Sequence, residues 1–226
     1  TTYLFDTAVA LAGLLRYLDT NTYYRQPEIV GPIRWTGPIT AGDFREAQAL
    51  STRPVKAFLP GPYSLYRFSK DMRYGDPAEG ARAFGEALSR EAEALEEAGA
   101  SWIHIEEPWL GRARAGDARA VRAALEAVLT GRRSKTMLHV PFGAPTAVFD
   151  SIRDLNWTGI GLDLVGAPAG WDLLQQVPQG RTVGLGLIDA RNTRLEAPES
   201  VAAGVERARG VRPDLDFQLS PTASLE

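Results

Sequence analysis

The stretch Ser101-Trp-Ile-His-Ile-Glu-Glu-Pro-Trp109 is a short apolar, aromatic-rich run that drops into two adjacent carboxylates and a proline. It reads as a buried parallel strand ending in charge. Residues 85 to 99 before it (Gly-Glu-Ala-Leu-Ser-Arg-Glu-Ala-Glu-Ala-Leu-Glu-Glu-Ala-Gly) follow a helical pattern closed by a C-terminal glycine, so the unit is helix, tight turn, strand and acidic tip. In parallel α/β folds the side chains at the carboxyl ends of strands line the site. Glu106 and Glu107 are therefore the first candidates for chemistry. The other reading is that one of them caps the following turn or pairs with an arginine between 112 and 122.

Working outward, the same unit repeats in kind. Apolar strand patterns at 54–60, 102–105, 136–140, 159–165, 182–189 and 216–220 alternate with helical patterns at 78–98, 117–130, after Pro145, around 171–176 and at 198–209. The strand tips fall 24 to 47 residues apart, the length of a strand, a helix and two loops, which predicts that all six strands run parallel. Gly159, Gly161, Gly184 and Gly186 lie inside strands, where glycine is costly unless neighbouring groups approach closely, as they do inside a small barrel. This favours a (β/α)8 TIM barrel over an open doubly wound sheet. A dinucleotide fold has little support, because Gly184-Leu-Gly186 is not followed by a third glycine and a helix start.

Six strands are clear and the region 17–24 reads as a seventh, whereas such barrels need eight strands and about 250 residues. The expectation is one barrel domain over residues 1–226, lacking N-terminal strand(s) and the final helix, or a chain that is part of a longer one. Ala8 to Leu18 suits a helix, and Ala41 to Leu50 a second, short one. Residues 27–40 alternate apolar and polar between prolines and predict an exposed hairpin outside the barrel wall.

Composition narrows the function classes. With 44% apolar and 23% charged residues among 226, and a net charge of −3, the chain is ordinary globular material with no basic stripe for nucleic acid or anionic membrane. No apolar run approaches the ~18 residues of a spanning helix and no secretory signal pattern is present, so the expectation is a cytoplasmic protein that acts on a small molecule. Zero cysteines exclude disulfides, thiolate catalysis and sulfur-ligated zinc. With only His104 and His139, any protein metal site needs carboxylates to supply most of its ligands.

Taken together, the strand tips are familiar. Pro60-Gly-Pro-Tyr-Ser64, Ile103-His-Ile-Glu-Glu-Pro-Trp-Leu110, Leu138-His-Val-Pro-Phe142, Ile160-Gly-Leu-Asp163, Gly184-Leu-Gly-Leu-Ile-Asp-Ala-Arg-Asn-Thr-Arg-Leu-Glu196 and Leu219-Ser-Pro-Thr-Ala-Ser-Leu225 resemble, in order, the C-terminal catalytic barrel of cobalamin-independent methionine synthase. Asp19-Thr-Asn-Thr-Tyr-Tyr24 is similar to the region after the second strand of its short, single-barrel relatives. The resemblance implies a zinc enzyme that moves a methyl group from a methylated folate, or from a methylcorrinoid in some relatives, to the thiol of homocysteine.

Residue by residue, the implied zinc ligands are His139 and Asp163, while Pro141 and Ala223 stand where the family places cysteines. Two of four donors are gone, so the expectation is that no stoichiometric zinc is held at the family position. His139 is then either a residual ligand or a hydrogen-bonded cleft or core histidine. The resemblance further implies that Glu106 holds the amino group of an amino-acid substrate and that Phe68 stacks on a pterin. It gives Tyr63, Asn21, Tyr24, Ser220 and Thr222 as further substrate contacts. Asp189, Arg191 and Glu107 are the implied catalytic positions, although Arg191 replaces a proton-transferring histidine and suits a carboxylate or phosphate better. Asp189 and Arg191 equally suit an ion pair at the rim. Three functions stay open: a diverged methyltransferase, a catalytically silent barrel that binds pterin or amino acid, and a zinc-independent lyase or decarboxylase like the uroporphyrinogen decarboxylase barrels. A homodimer or a partner chain that supplies missing ligands also stays open.

Overall fold

The computed structural model describes residues 9–18 and 20–223. Asp19 and the last residues of the final tip, 224–226, lie outside them, as do residues 1–8. Six parallel strands form one sheet in sequence order: β3 (Ala57–Pro60), β5 (Trp102–Glu106), β6 (Lys135–Val140), β7 (Gly159–Asp163), β8 (Thr182–Ile188) and β9 (Asp216–Pro221). A second, three-stranded sheet joins β1 (Val9–Arg16), β2 (Tyr23–Ile29) and β4 (Lys70–Asp71). The six parallel strands are those expected from the sequence.

The sheet is curled. Six strands spaced ~4.8 Å apart would hold their outer edges about 24 Å apart if flat, yet Lys56, just before β3, donates to Gln218 of β9 at 3.0 Å. One face carries Ala57, Leu59, Ile103, Ile105, Leu138, Val140, Ile160, Leu162, Val183 and Leu185, all buried. The other, concave face carries Phe58, His104, Glu106, His139 and the strand glycines, which share a face through the parallel register and the two-residue period.

Helices cover the apolar face. α3 (Pro77–Glu97) starts at Pro77 behind an Asp76 cap that accepts from Ala78 N at 3.0 Å, and buries Ala81, Phe84, Leu88, Ala92 and Leu95 along one stripe. It packs on α4 (Ala118–Leu129), which buries Val121, Ala124, Leu125 and Val128. Their close approach depends on Gly85, where a Cβ would lie 2.4 Å from the Ala124 carbonyl oxygen. The remaining helices are α1 (Ala41–Leu50), α2 (Pro62–Phe68), α5 (Gly170–Leu174) and α6 (Pro198–Val211).

Three expectations are corrected at the N-terminal end. The apolar run read as a helix is β1, antiparallel to β2 with a register break between Leu11 and Leu14. With no polar face at helical spacing and a pairing strand that starts seven residues on, the run gains more from the ladder. Tyr17 and Thr22 close the turn of this hairpin, Tyr17 N to Thr22 O at 2.8 Å, and the described residues here are not a seventh strand of the parallel sheet. The expected 27–40 hairpin is also displaced: 27–29 end β2 and 30–40 run as a strap without strand pairing.

Glu91 of α3 fastens that strap. Buried at 1% exposure, its carboxylate accepts from Trp35 Nε1 (2.8 Å), Ile39 N (3.0 Å), Thr40 N (2.7 Å) and Thr40 Oγ1 (2.8 Å). Glu91→Ala strands these buried donors, and we expect a loss of about 3–5 kcal/mol in denaturant unfolding together with new proteolytic cleavage between residues 30 and 40.

Glu96 ties the end of α3 to the start of β6. Burial pushes its carboxyl up, but bonds from Ser134 N (3.0 Å), Ser134 Oγ (2.9 Å) and Arg133 N (2.8 Å), with the Arg132 charge, outweigh burial and lower it below the ordinary range. A carboxyl depressed in the folded state stabilises fully above its unfolded pKa of ~4.3, and the contribution is lost as pH falls through the lower folded value. Glu96→Gln should therefore destabilise at pH 7 and cost much less at pH 3, read as the pH dependence of the urea midpoint.

Candidate functional site at the strand tips

Neighbouring carboxylates at the end of β5 part ways because successive residues point to opposite faces. Glu107 turns into the helical layer, wholly buried, and accepts from Tyr63 N (2.9 Å), Ser64 N (2.8 Å) and Ser64 Oγ (2.5 Å) at the start of α2. Burial pushes it up to about 7, against the pull of those three bonds. Gly61 makes this possible, since a Cβ there would meet Glu107 Cδ at 2.1 Å. Glu107, named as catalytic from the sequence, thus anchors the start of α2, an earlier helix, and neither the turn that follows it nor an arginine between 112 and 122. Tyr63 is likewise fully buried in that layer, with its hydroxyl 3.5 Å from Arg67 Nη1.

Glu106 faces the concave side. Its Oε2 lies 3.4 Å from His139 Nδ1, its register partner on β6. The His139 ring is buried over Gly161 of β7, where a Cβ would come within 2.4 Å of Cδ2. His104, two residues before Glu106, sits edge-on to His139 with centroids 4.9 Å apart and stacks on Phe58 at 5.9 Å. Burial, then the charges of His139 and Lys56, hold the His104 imidazole down to about 4, against the pull of Glu106.

At the end of β7, Asp163 Oδ1 accepts from Val165 N (3.1 Å) and Gly166 N (2.6 Å). Burial pushes its carboxyl above the usual range, against those bonds and the Arg191 charge, and Asp189 adds to the push. A Cβ on Gly166 would touch both Asp163 Oδ2 (2.6 Å) and Arg191 Nη1 (3.1 Å), so β7 and the loop after β8 meet there. Asp189 organises that loop, accepting from Arg191 N at 2.9 Å and from the Asn192 side chain. Thr222 is buried and accepts from Ala190 N at 3.1 Å. His139 Nε2, Asp163 Oδ2 and Ser220 Oγ are buried without a hydrogen-bond partner among the described residues.

The rim is aromatic. Tyr17 at the hairpin turn stacks on Phe68 of α2 (5.0 Å, 29°) and meets Phe142 edge-on at 6.2 Å. Tyr24 and Trp109 complete the cluster around Phe68, each 5.3 Å from it, and the Arg191 guanidinium lies 5.7 Å over Phe142. Phe142 has φ of 61°, a left-handed conformation rare for a bulky residue. Tyr24 and Phe68 are thus brought together as expected, while Asn21 is exposed at the turn. Sequence reasoning missed Tyr17 and Phe142, and counted His104 among the two histidines open to a metal without placing it in the site. That place was legible, because His104-x-Glu106 places two polar side chains on one face of a strand.

The architecture defines a parallel β/α protein with a polar site at the carboxyl ends of its strands and an aromatic rim. The chain belongs to the cobalamin-independent synthase family: the model of that family's N-terminal domain matches residues 6–211. It is that domain's model, and not one of the C-terminal catalytic barrel that the strand tips resemble; the thiolates that would mark the latter read Pro141 and Ala223 here. A methionine synthase of Sulfurisphaera tokodaii is 29% identical over 225 residues, 92% of this chain and 64% of the relative. A 5-methyltetrahydropteroyltriglutamate–homocysteine methyltransferase of Parvibaculum lavamentivorans is 32% identical over 209 residues, 88% of this chain but 27% of the relative. The chain therefore spans less than two thirds of the length of these relatives. Among solved structures, a B12-independent methionine synthase from Shewanella sp. W3-18-1 in complex with selenomethionine superposes with a TM-score of 0.82 at 23% identity, over 94% of this chain and 67% of that one, and so shares the fold.

The glycine under His139 yields a test of the site's packing. Gly161→Ala has to displace a buried imidazole, so we expect a loss of about 1–3 kcal/mol and a shifted His139 imidazole resonance in NMR.

Proposed function

We propose that this chain is a methionine-synthase-like methyltransferase domain, acting at the strand tips on a methylated folate or methylcorrinoid and on homocysteine or a related thiol. The observation that carries the reading is the sharing of one concave face by Glu106, His139 and Asp163, with buried unpartnered atoms at His139 Nε2 and Asp163 Oδ2. In this reading the parallel sheet is the larger part of a (β/α)8 barrel. Glu106 takes the ammonium of the amino acid, Tyr17, Phe68 and Phe142 offer faces to a flat pterin, and Arg191 meets a carboxylate.

The zinc that the family implies does not fit its usual position here. Pro141 and Ala223 offer no donor atom, and Asp163 Oδ1 already accepts from two backbone N–H groups. No step is therefore routed through zinc at that position. A thiol of pKa ~8.5 is only a few per cent ionised at pH 7, which adds about 2 kcal/mol to the barrier at ~1.36 kcal/mol per unit. The lost donors favour, as a second reading, a domain that binds these ligands without turnover.

Calorimetry with homocysteine and with a polyglutamylated methylfolate tests both readings. We expect both to bind, and Glu106→Ala to weaken homocysteine at least ~10-fold, the worth of one charge-assisted bond, with folate unchanged. Methyl transfer by the wild-type chain selects the first reading, and binding without turnover the second. Failure of both ligands to bind sinks the two together. Pro141→Cys with Ala223→Cys should raise zinc retention through chelator dialysis.

A further inference from the structure

We propose that His104, Glu106 and His139 form a binding site for a divalent transition-metal ion of the zinc class, built on two neighbouring strands and displaced from the position the family resemblance implies. One donor atom from each lies within 4.8 Å of the other two. The strand register creates this grouping. His104 and Glu106 are two apart on β5 and so share a face, and Glu106 pairs with His139 across β6.

Distances favour a shared ion over a simple ion pair. The 3.4 Å between His139 Nδ1 and Glu106 Oε2 exceeds the ~2.7–2.9 Å of a charge-assisted hydrogen bond. Two donors each ~2.0–2.1 Å from a tetrahedral ion stand about 3.3–3.4 Å apart. The side chains are 5% (His139) and 12% (Glu106) exposed, so an ion between them is largely shielded from competing water. His139 is pinned by Gly161 beneath it, and His104 by Phe58 and His139, so closing the shell needs only small rotations.

Two imidazoles and one carboxylate are a donor set that holds zinc with one position open, without sulfur. Lys56 also faces this side, with its ammonium 3.0 Å from Gln218 and 5.4 Å from the Trp102 ring centroid. The inference gives Glu106 and His139 another role than the methyl-transfer reading does, and because its test reads metal binding and not homocysteine or folate binding, the two fail separately.

The test is titration of the chelator-stripped chain with Co(II) and with Zn(II), read by visible absorption and calorimetry. We expect one ion per chain and ligand-field bands without a thiolate transition. Loss of an outer-shell partner costs 10–100-fold in metal affinity, so His104→Gln and Glu106→Gln, which remove ligands, should weaken binding at least ~100-fold. Asp154→Asn, at an exposed carboxylate paired with Arg122 of α4, should leave binding within about 3-fold. Absence of 1:1 binding, indifference to His104→Gln, or an equal loss of binding in Asp154→Asn overturns the proposal. Should a variant fail to fold by circular dichroism, X-ray absorption of the zinc-loaded wild-type chain decides: two imidazoles in the shell support the site and fewer overturn it.

Discussion

The buried carboxylate of Glu107 is the constraint on which the strand tips depend. Wholly enclosed, it satisfies the first N–H groups of α2 and the Ser64 hydroxyl, and that hydroxyl in turn accepts from Trp109 N at 3.0 Å. Its own N–H donates to His139 O at 2.8 Å, and Gly61 N donates to Glu106 O at 2.6 Å. One residue therefore fastens the ends of β3, β5 and β6 and the start of α2. Removing a carboxylate from water costs several kcal/mol unless hydrogen bonds replace its hydration, which is why its pKa rises even with three donors in place. Since adjacent strand residues point to opposite faces, fixing Glu107 outward forces Glu106 inward beside His139.

The glycines of β7 and β8 are the complementary constraint. Gly159 and Gly161 lie under Met137 and His139 of the strand beside them, and a Cβ on Gly184 would lie 3.1 Å from the Gly161 Cα. A side chain at any of these would compete for the same concave space. Leaving Cβ atoms off two adjacent strands lets large groups from β6 lie across the sheet, and the sheet curls until Lys56 reaches Gln218. The seat of His139 and the curvature thus have one origin in sequence.

Periodicity made the parallel sheet legible, because its strands are buried on the helical face and read as apolar runs with charged or polar ends. It failed at the hairpin. The β1 run is apolar without a two-residue alternation, and Leu14 and Leu15 are both substantially exposed, so nothing local separates strand from helix. Site residues were legible where alternation alone decides the face, as for Glu106 against Glu107, provided the capping role was given to the second. Tyr17 and Phe142 were not legible, since their roles depend on a long-range contact between the hairpin turn and the loop after β6. The glycines of the strands announced close packing, but not which side chain would fill the space.

The rim and the floor of the site are mechanically one assembly. Tyr17 stacks on Phe68, and Phe68 is the last residue of α2, whose first turn is held by Glu107 at the tip of β5. On the other side Tyr17 meets Phe142, two residues beyond the end of β6, which carries His139. Aromatic pairs of this kind contribute about 0.5–1.5 kcal/mol each, enough to seat the hairpin turn but not to hold it there against a ligand that offers a better face. Tyr24 of the same hairpin adds a hydrogen bond, its hydroxyl donating to Phe68 O at 3.2 Å, and β2 is tied on by its pairing with β4. A flat ligand entering over Phe68 would exchange one stacking partner for another while the carboxylates and histidines beneath stay in register.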